Sequence, residues 1–126
     1  MRLLLDTHVV LWQLSGAHSL GVRARETIAS AAELAFSVVS FAEIGVKAAI
    51  GKLAVPDDLH AHIVGSGLRV LGLSPDQGLA VASLPLHHRD PFDRLLVAQA
   101  RREGFTLMSA DRRLHAYDVA VLDPLA

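Results

Sequence analysis

HRDPFDRLLVA, residues 88–98, sets two aspartates three apart around a proline and follows them at once with an apolar run. Proline suits the first position of a helix, where its missing N–H leaves nothing unpaired, and aspartate is favoured just before it. The stretch therefore predicts a helix that opens at Pro91, takes Asp90 as its N-cap and runs to Glu103, with Gly104 as C-cap. PLHHRD before it reads as loop, and FTLMS (105–109) after it as a short apolar strand. The same alternation recurs along the chain. RLLL (2–5), LAFSVV (34–39), LRVLGL (68–73) and VAVL (119–122) read as further strands. Segments 7–14, 19–32, 40–53, 56–64, 75–84 and 110–117 carry helical spacing. Short, unalternating apolar strands between helices argue for an α/β fold whose parallel sheet is covered on both faces. Such sheets gather ligands beyond the carboxyl ends of their strands.

A chain of 126 residues with 52% hydrophobic content can bury a core without staples. No repeat, low-complexity tract or linker divides it, so one domain over 1–126 is expected. With no cysteine, disulfides and thiolate metal sites are excluded. Asp6 interrupts the apolar start too early for a signal peptide, and no apolar run approaches the roughly 20 residues of a membrane span. A soluble cytoplasmic protein is expected. Net charge is −1, which does not advertise a nucleic-acid partner, although half of the twelve Lys and Arg follow residue 88.

Four acids fall at equivalent places. Asp6 ends the first strand, Glu43 lies in the first turn of the helix after the second, Asp93 opens the helix before the fourth, and Asp111 follows that strand. Capping accounts for each alone. Ser40-Phe-Ala-Glu43 fits a capping box, Asp90-Pro-Phe-Asp93 fits the same frame, and Asp6 and Asp111 can cap too. Capping does not explain why several acids share one rim, where like charges repel. A divalent cation that prefers oxygen, Mg²⁺ or Mn²⁺, would neutralise the cluster, lower the pKa of a bound water and stabilise charge on a phosphoryl oxygen. The hydroxyls of Thr7, Ser40 and Ser109 flank the acids and can orient them. Asp90 is assigned to the cap and Asp93 to the pocket.

LLLDTHVVLW (3–12), SVVSFAEIGVKAAIGKL (37–53), HRDPFDRLLVAQA (88–100) and LMSADRRLHAYDV (107–119) together resemble the PIN domain, in particular the VapC-type toxin ribonucleases of toxin–antitoxin pairs. The pieces stand in family order over nearly the whole chain. The resemblance implies a three-layer α/β/α sandwich with a central parallel sheet of four to five strands. It implies an endoribonuclease dependent on Mg²⁺ or Mn²⁺ that hydrolyses RNA with metal-activated water. A VapB-like antitoxin and a homodimer are its implied partners. It maps the family's metal-binding and catalytic acids onto Asp6, Glu43, Asp93 and Asp111, with Asp111 in support. Ala42 stands where an aromatic is frequent, and Ser109 where Thr is usual; the latter keeps the hydroxyl.

Arg94 and Arg112 are candidate contacts to the RNA backbone. His8 and His88 lie near the acids, but a surface or packing role is expected for each. The seven histidines include no His-x-x-x-His pair, so zinc is not expected. Two other functions compete. A phosphoaspartate domain would use Asp6 as nucleophile, but has His8 where a second Asp belongs and only Lys47 and Lys52 as lysines. A non-catalytic module would use the acids to receive basic groups of a partner.

Overall fold

A computed structural model of the chain describes residues 1–16 and 19–126. Strands β1 (Arg2–Leu5), β2 (Glu33–Ser37), β3 (Arg69–Leu71), β4 (Thr106–Met108) and β5 (Val121–Leu122) form one sheet in the order β3-β2-β1-β4-β5. Every pairing is parallel. Helices α1 (Thr7–Ser15), α2 (Val22–Ser30), α3 (Val38–Ala49), α4 (Leu59–Gly65), α5 (Pro75–Ala80) and α6 (Pro91–Glu103) complete the three layers. No helix among the described residues is long and apolar enough to cross a membrane.

Successive side chains of a strand point to opposite faces, so a strand buried on both must be apolar throughout. In β1, Leu4 enters one core with Leu96, Val97 and Ala100 of α6, while Leu3 and Leu5 enter the other with Val9 of α1, Ala24 of α2 and Ile63 of α4. Each leucine so buried contributes about 2 kcal/mol of transfer free energy. Helix α3 serves both cores, giving Val39 to the first and Ile44 to the second.

Helix α6 has the predicted bounds. Asp90 accepts hydrogen bonds from the N–H groups of Phe92 (2.8 Å) and Asp93 (3.2 Å), and Gly104 closes the helix at φ +74°. Other expectations need correction. The second strand stops at Ser37, whose hydroxyl accepts from Val39 N, so α3 begins at Val38 rather than Ser40. The 19–32 segment becomes helical only at Val22. Gly21 precedes it, and a Cβ there would meet Ala126 backbone at 2.2 Å. The 56–64 helix starts at Leu59, after a turn. The 75–84 segment divides into α5 and a 3-10 turn, Val81–Ser83, and 110–117 holds only a 3-10 turn, Arg112–Ala116.

The register positions the site. Leu5 pairs with Phe36 on one side and Met108 on the other, so one step further stand Asp6, Ser37 and Ser109. Strand order reverses at β1, which puts this row at the sheet's switch point. Gln99 of α6, fully buried, accepts from the Ser37 hydroxyl and donates to Gly72 O at 3.1 Å. That contact ties α6 to the start of α3.

Candidate active site

Three buried carboxylates converge beyond this row. Asp6, Glu43 and Asp93 each offer an oxygen, and those atoms lie within 4.8 Å of one another. Each arrives by a different local device. Asp6 is the N-cap residue of α1 but makes no side-chain cap, so its carboxylate is free for other partners. Ser109 Oγ donates to Asp6 Oδ2 at 2.8 Å, while Oδ1 is the buried side-chain polar atom without a hydrogen-bond partner among the described residues. Glu43 lies in the second turn of α3, since Ser37 rather than Ser40 caps that helix. The proposed Ser40–Glu43 capping box is therefore absent. Ser40, fully buried, instead meets Thr7 Oγ1 at 2.8 Å, and Thr7 donates to Glu43 Oε1 at 2.7 Å. The second box is half made. Asp90 caps α6, but its own N–H goes to His88 Nδ1 at 3.1 Å, which leaves the Asp93 side chain to the pocket. A complete capping box does occur at α5, between Ser74 and Gln77.

Burial pushes the Asp6 carboxyl up from its usual value, an effect that the Ser109 hydrogen bond opposes. Asp93 is pushed up to about 8, first by burial and then by Asp6, Asp90, Glu43 and Asp111. Glu43, 1 % exposed, has a cation beside it: Lys47 Nζ donates to Oε2 at 2.6 Å. The Glu43–Lys47 spacing of four is the ordinary helix ion-pair spacing and was legible in the sequence. Lys47 also engages Glu43 rather than Asp6, so it does not supply the lysine that a phosphoaspartate site needs.

Asp111 stands differently from the expected quartet. It caps the 3-10 turn through Arg113 N at 3.0 Å and accepts from the Arg113 guanidinium on both oxygens. Arg113 holds its carboxyl down at about 2. Asp111 belongs to a second trio, with His88 and Asp93, so the four acids divide into two groups that share Asp93. His88 is neither surface nor packing. It is buried, with Nε2 at 2.8 Å from Asp111 Oδ2 and 2.9 Å from Asp93 Oδ2. No local pattern in the sequence pointed to this bridge. His8 is exposed, as expected.

Arg94 also needs correction. It is buried, and its guanidinium donates to the carbonyls of Pro85 and Val81 at 2.9 Å, with longer bonds to Leu84 O, His88 O and the Tyr117 hydroxyl. Its charge holds the loop before α6 and is not presented to a phosphate. Arg112 is exposed on the 3-10 turn beside Asp111.

The trio suits a hard cation. Its donors are all carboxylate oxygens, one buried oxygen lacks any donor, and one lysine offsets only part of the charge.

The family model that matches is the PIN domain, over residues 3–120. Ribonuclease VapC22 of Mycobacterium tuberculosis (strain ATCC 25618 / H37Rv) is 32% identical over 117 residues, covering 90% of each chain. Among solved structures, VapBC2 from Rickettsia felis bound to a DNA fragment from their promoter aligns with TM-score 0.74 at 16% identity, covering 97% of this chain and 98% of that one. DNA-bound VapBC from Salmonella typhimurium aligns with TM-score 0.69 at 16% identity, covering 98% of each.

Proposed function

The chain belongs to the PIN-domain family, and on that premise we propose that it is a metal-dependent endoribonuclease, the toxin of a toxin–antitoxin pair. The observation that carries this reading is the buried trio Asp6, Glu43 and Asp93 with its unpartnered oxygen. These three residues would hold a Mg²⁺ or Mn²⁺ ion. When bound, that ion supplies a lowered water pKa and charge neutralisation at a phosphoryl oxygen.

The remaining roles fall to the chain's own groups. Ser109 orients Asp6, Thr7 orients Glu43, and Ser40 supports Thr7. Asp111 supports Asp93 through His88. Arg112, exposed at the rim, is the candidate contact to the RNA backbone. A hydrolytic reading needs no protein nucleophile, which agrees with a site whose Thr7 and Ser109 hydroxyls serve carboxylates and whose Ser40 hydroxyl serves Thr7.

Residues 1–126 are read as one domain acting in the cytoplasm on RNA. The antitoxin would approach the same acidic pocket with a basic side chain, as Lys47 already does from within. Val38 and Val46 of α3 and Ile50 at its C-cap are exposed, which supports homodimer formation through that helix. Sedimentation of the purified chain tests the dimer. A single-stranded RNA incubated with Mg²⁺, and again with chelator, tests the activity. Cleavage that persists in chelator would remove the metal from the mechanism; no cleavage in Mg²⁺ or Mn²⁺ would leave an acidic binding module.

A further inference from the structure

We propose that His88 is a positioning residue that aims Asp93 at the metal and locks it to Asp111, and that it is not itself a metal ligand. The inference rests on the metal site proposed above. Its starting point is the ring's two hydrogen bonds. Asp90 N–H donates to Nδ1 at 3.1 Å, so Nδ1 must present a lone pair. In the neutral ring the proton then sits on Nε2. That nitrogen faces two acceptors, Asp93 Oδ2 at 2.9 Å and Asp111 Oδ2 at 2.8 Å.

One proton shared between two carboxylates does two things. It holds side chains from α6 and from the turn after β4 in one arrangement, although they lie eighteen residues apart in sequence. It also places a hydrogen-bond donor between two like charges that would otherwise repel. Ligation through Nε2 would require the opposite tautomer, with its proton on Nδ1 pointing at the Asp90 N–H. Asp90 cannot turn away readily, because its side chain caps α6 through Phe92 N and Asp93 N. The helix start that presents Asp93 thus selects the tautomer that restrains it.

The backbone of His88 is fixed as firmly as its ring. Tyr117 Oη accepts from His88 N at 3.0 Å, and the buried Arg94 guanidinium binds the carbonyls of Val81, Leu84 and Pro85. Arg94 is the residue after Asp93, so ligand and loop clamp share one turn of α6. Hydrogen-bond donors behind metal ligands orient them, and their loss costs about 10–100-fold in metal affinity.

Mn²⁺ binding tests this directly. His88→Leu removes the donor; His88→Gln keeps an N–H at comparable reach. The expected result is Mn²⁺ affinity about 10–100-fold lower in H88L and largely restored in H88Q. The pulsed-EPR spectrum of Mn²⁺ on the unaltered chain should show no imidazole nitrogen coupling that disappears in H88Q. Such a coupling would make His88 a ligand and overturn the inference, even if H88L failed to fold. Tight Mn²⁺ binding by the unaltered chain with no loss in H88L would overturn it while sparing the metal site. Absence of Mn²⁺ binding by the unaltered chain would overturn both.

Discussion

The two ends of this sheet treat acids in opposite ways. At the amino end, Glu33 of β2 is flanked by Arg2 of β1 and Arg69 of β3. Arg2 Nε donates to Oε2 at 2.8 Å and Arg69 Nη1 donates to Oε1. The arginine hydrogen bonds hold the Glu33 carboxyl below its usual value. At the carboxyl end, Asp6, Glu43 and Asp93 share a pocket with one lysine, and burial pushes Asp6 and Asp93 up. The first arrangement is electrostatically complete as it stands. The second keeps like charges together out of water, a cost that persists only where the surrounding fold enforces it. A sheet that can pair its acids at one end and leaves them under-compensated at the other supports the proposal that the second end holds a cation.

The largest expected contrast is in catalysis. Asp93→Asn should lower RNA cleavage by about a thousandfold, equivalent to about 4 kcal/mol of lost transition-state stabilisation. In chelator above pH 8 its melting temperature should equal or exceed that of the unaltered chain, because a buried charge has gone. Cleavage left intact would erase the distinction between the two ends. Glu33→Gln is the matched control. It should leave cleavage unchanged and lower the melting temperature slightly, less so in high salt, since both arginines are well exposed.

The pH responses should also oppose each other. The folded value of Asp93, about 8, lies above the ordinary 3.8, so the folded chain retains a proton that the unfolded chain has lost. Its contribution to metal-free stability is present below about pH 4 and disappears as pH rises toward 8. Glu33 and Asp111 are lowered, Asp111 to about 2, so their contributions are present above the ordinary values and are lost as pH falls. Melts in chelator should therefore weaken toward both pH extremes, and saturating Mg²⁺ should remove the alkaline loss alone. Apparent Mn²⁺ affinity by titration calorimetry should rise about tenfold per pH unit up to about pH 8, as Asp93 gives up its proton to the ion.

A smaller effect is expected from Lys47→Met. Removing the Lys47 charge leaves Glu43 buried beside other acids and should cost about 1–3 kcal/mol in chelator, read from denaturant melts. Mg²⁺ should recover most of it. An equal loss with and without Mg²⁺ would mean that Lys47 serves packing and not charge.

Much of the scaffold was legible in neighbouring residues. Helix α6 follows from Asp90-Pro91 and Gly104, and the buried strand from Leu3, Leu4 and Leu5, because caps, proline and apolar runs act within a few positions. Segment order then implied the parallel sheet, and motif resemblance named the four acids. The start of α3 was misread because Ser37 and Ser40 are equally plausible caps locally; Ser40 loses the role by packing against Thr7, thirty-three residues away. Arg94 looked like a phosphate contact because an arginine's charge carries no record of the carbonyls it will meet. His88 and Asp111 were separated by a helix and a strand, and only packing brought Nε2 to both carboxylates. Local propensity is set by nearest neighbours. A site's geometry is set by contacts such as Ser109 with Asp6, 103 residues apart, which exist only once both faces of the sheet are covered.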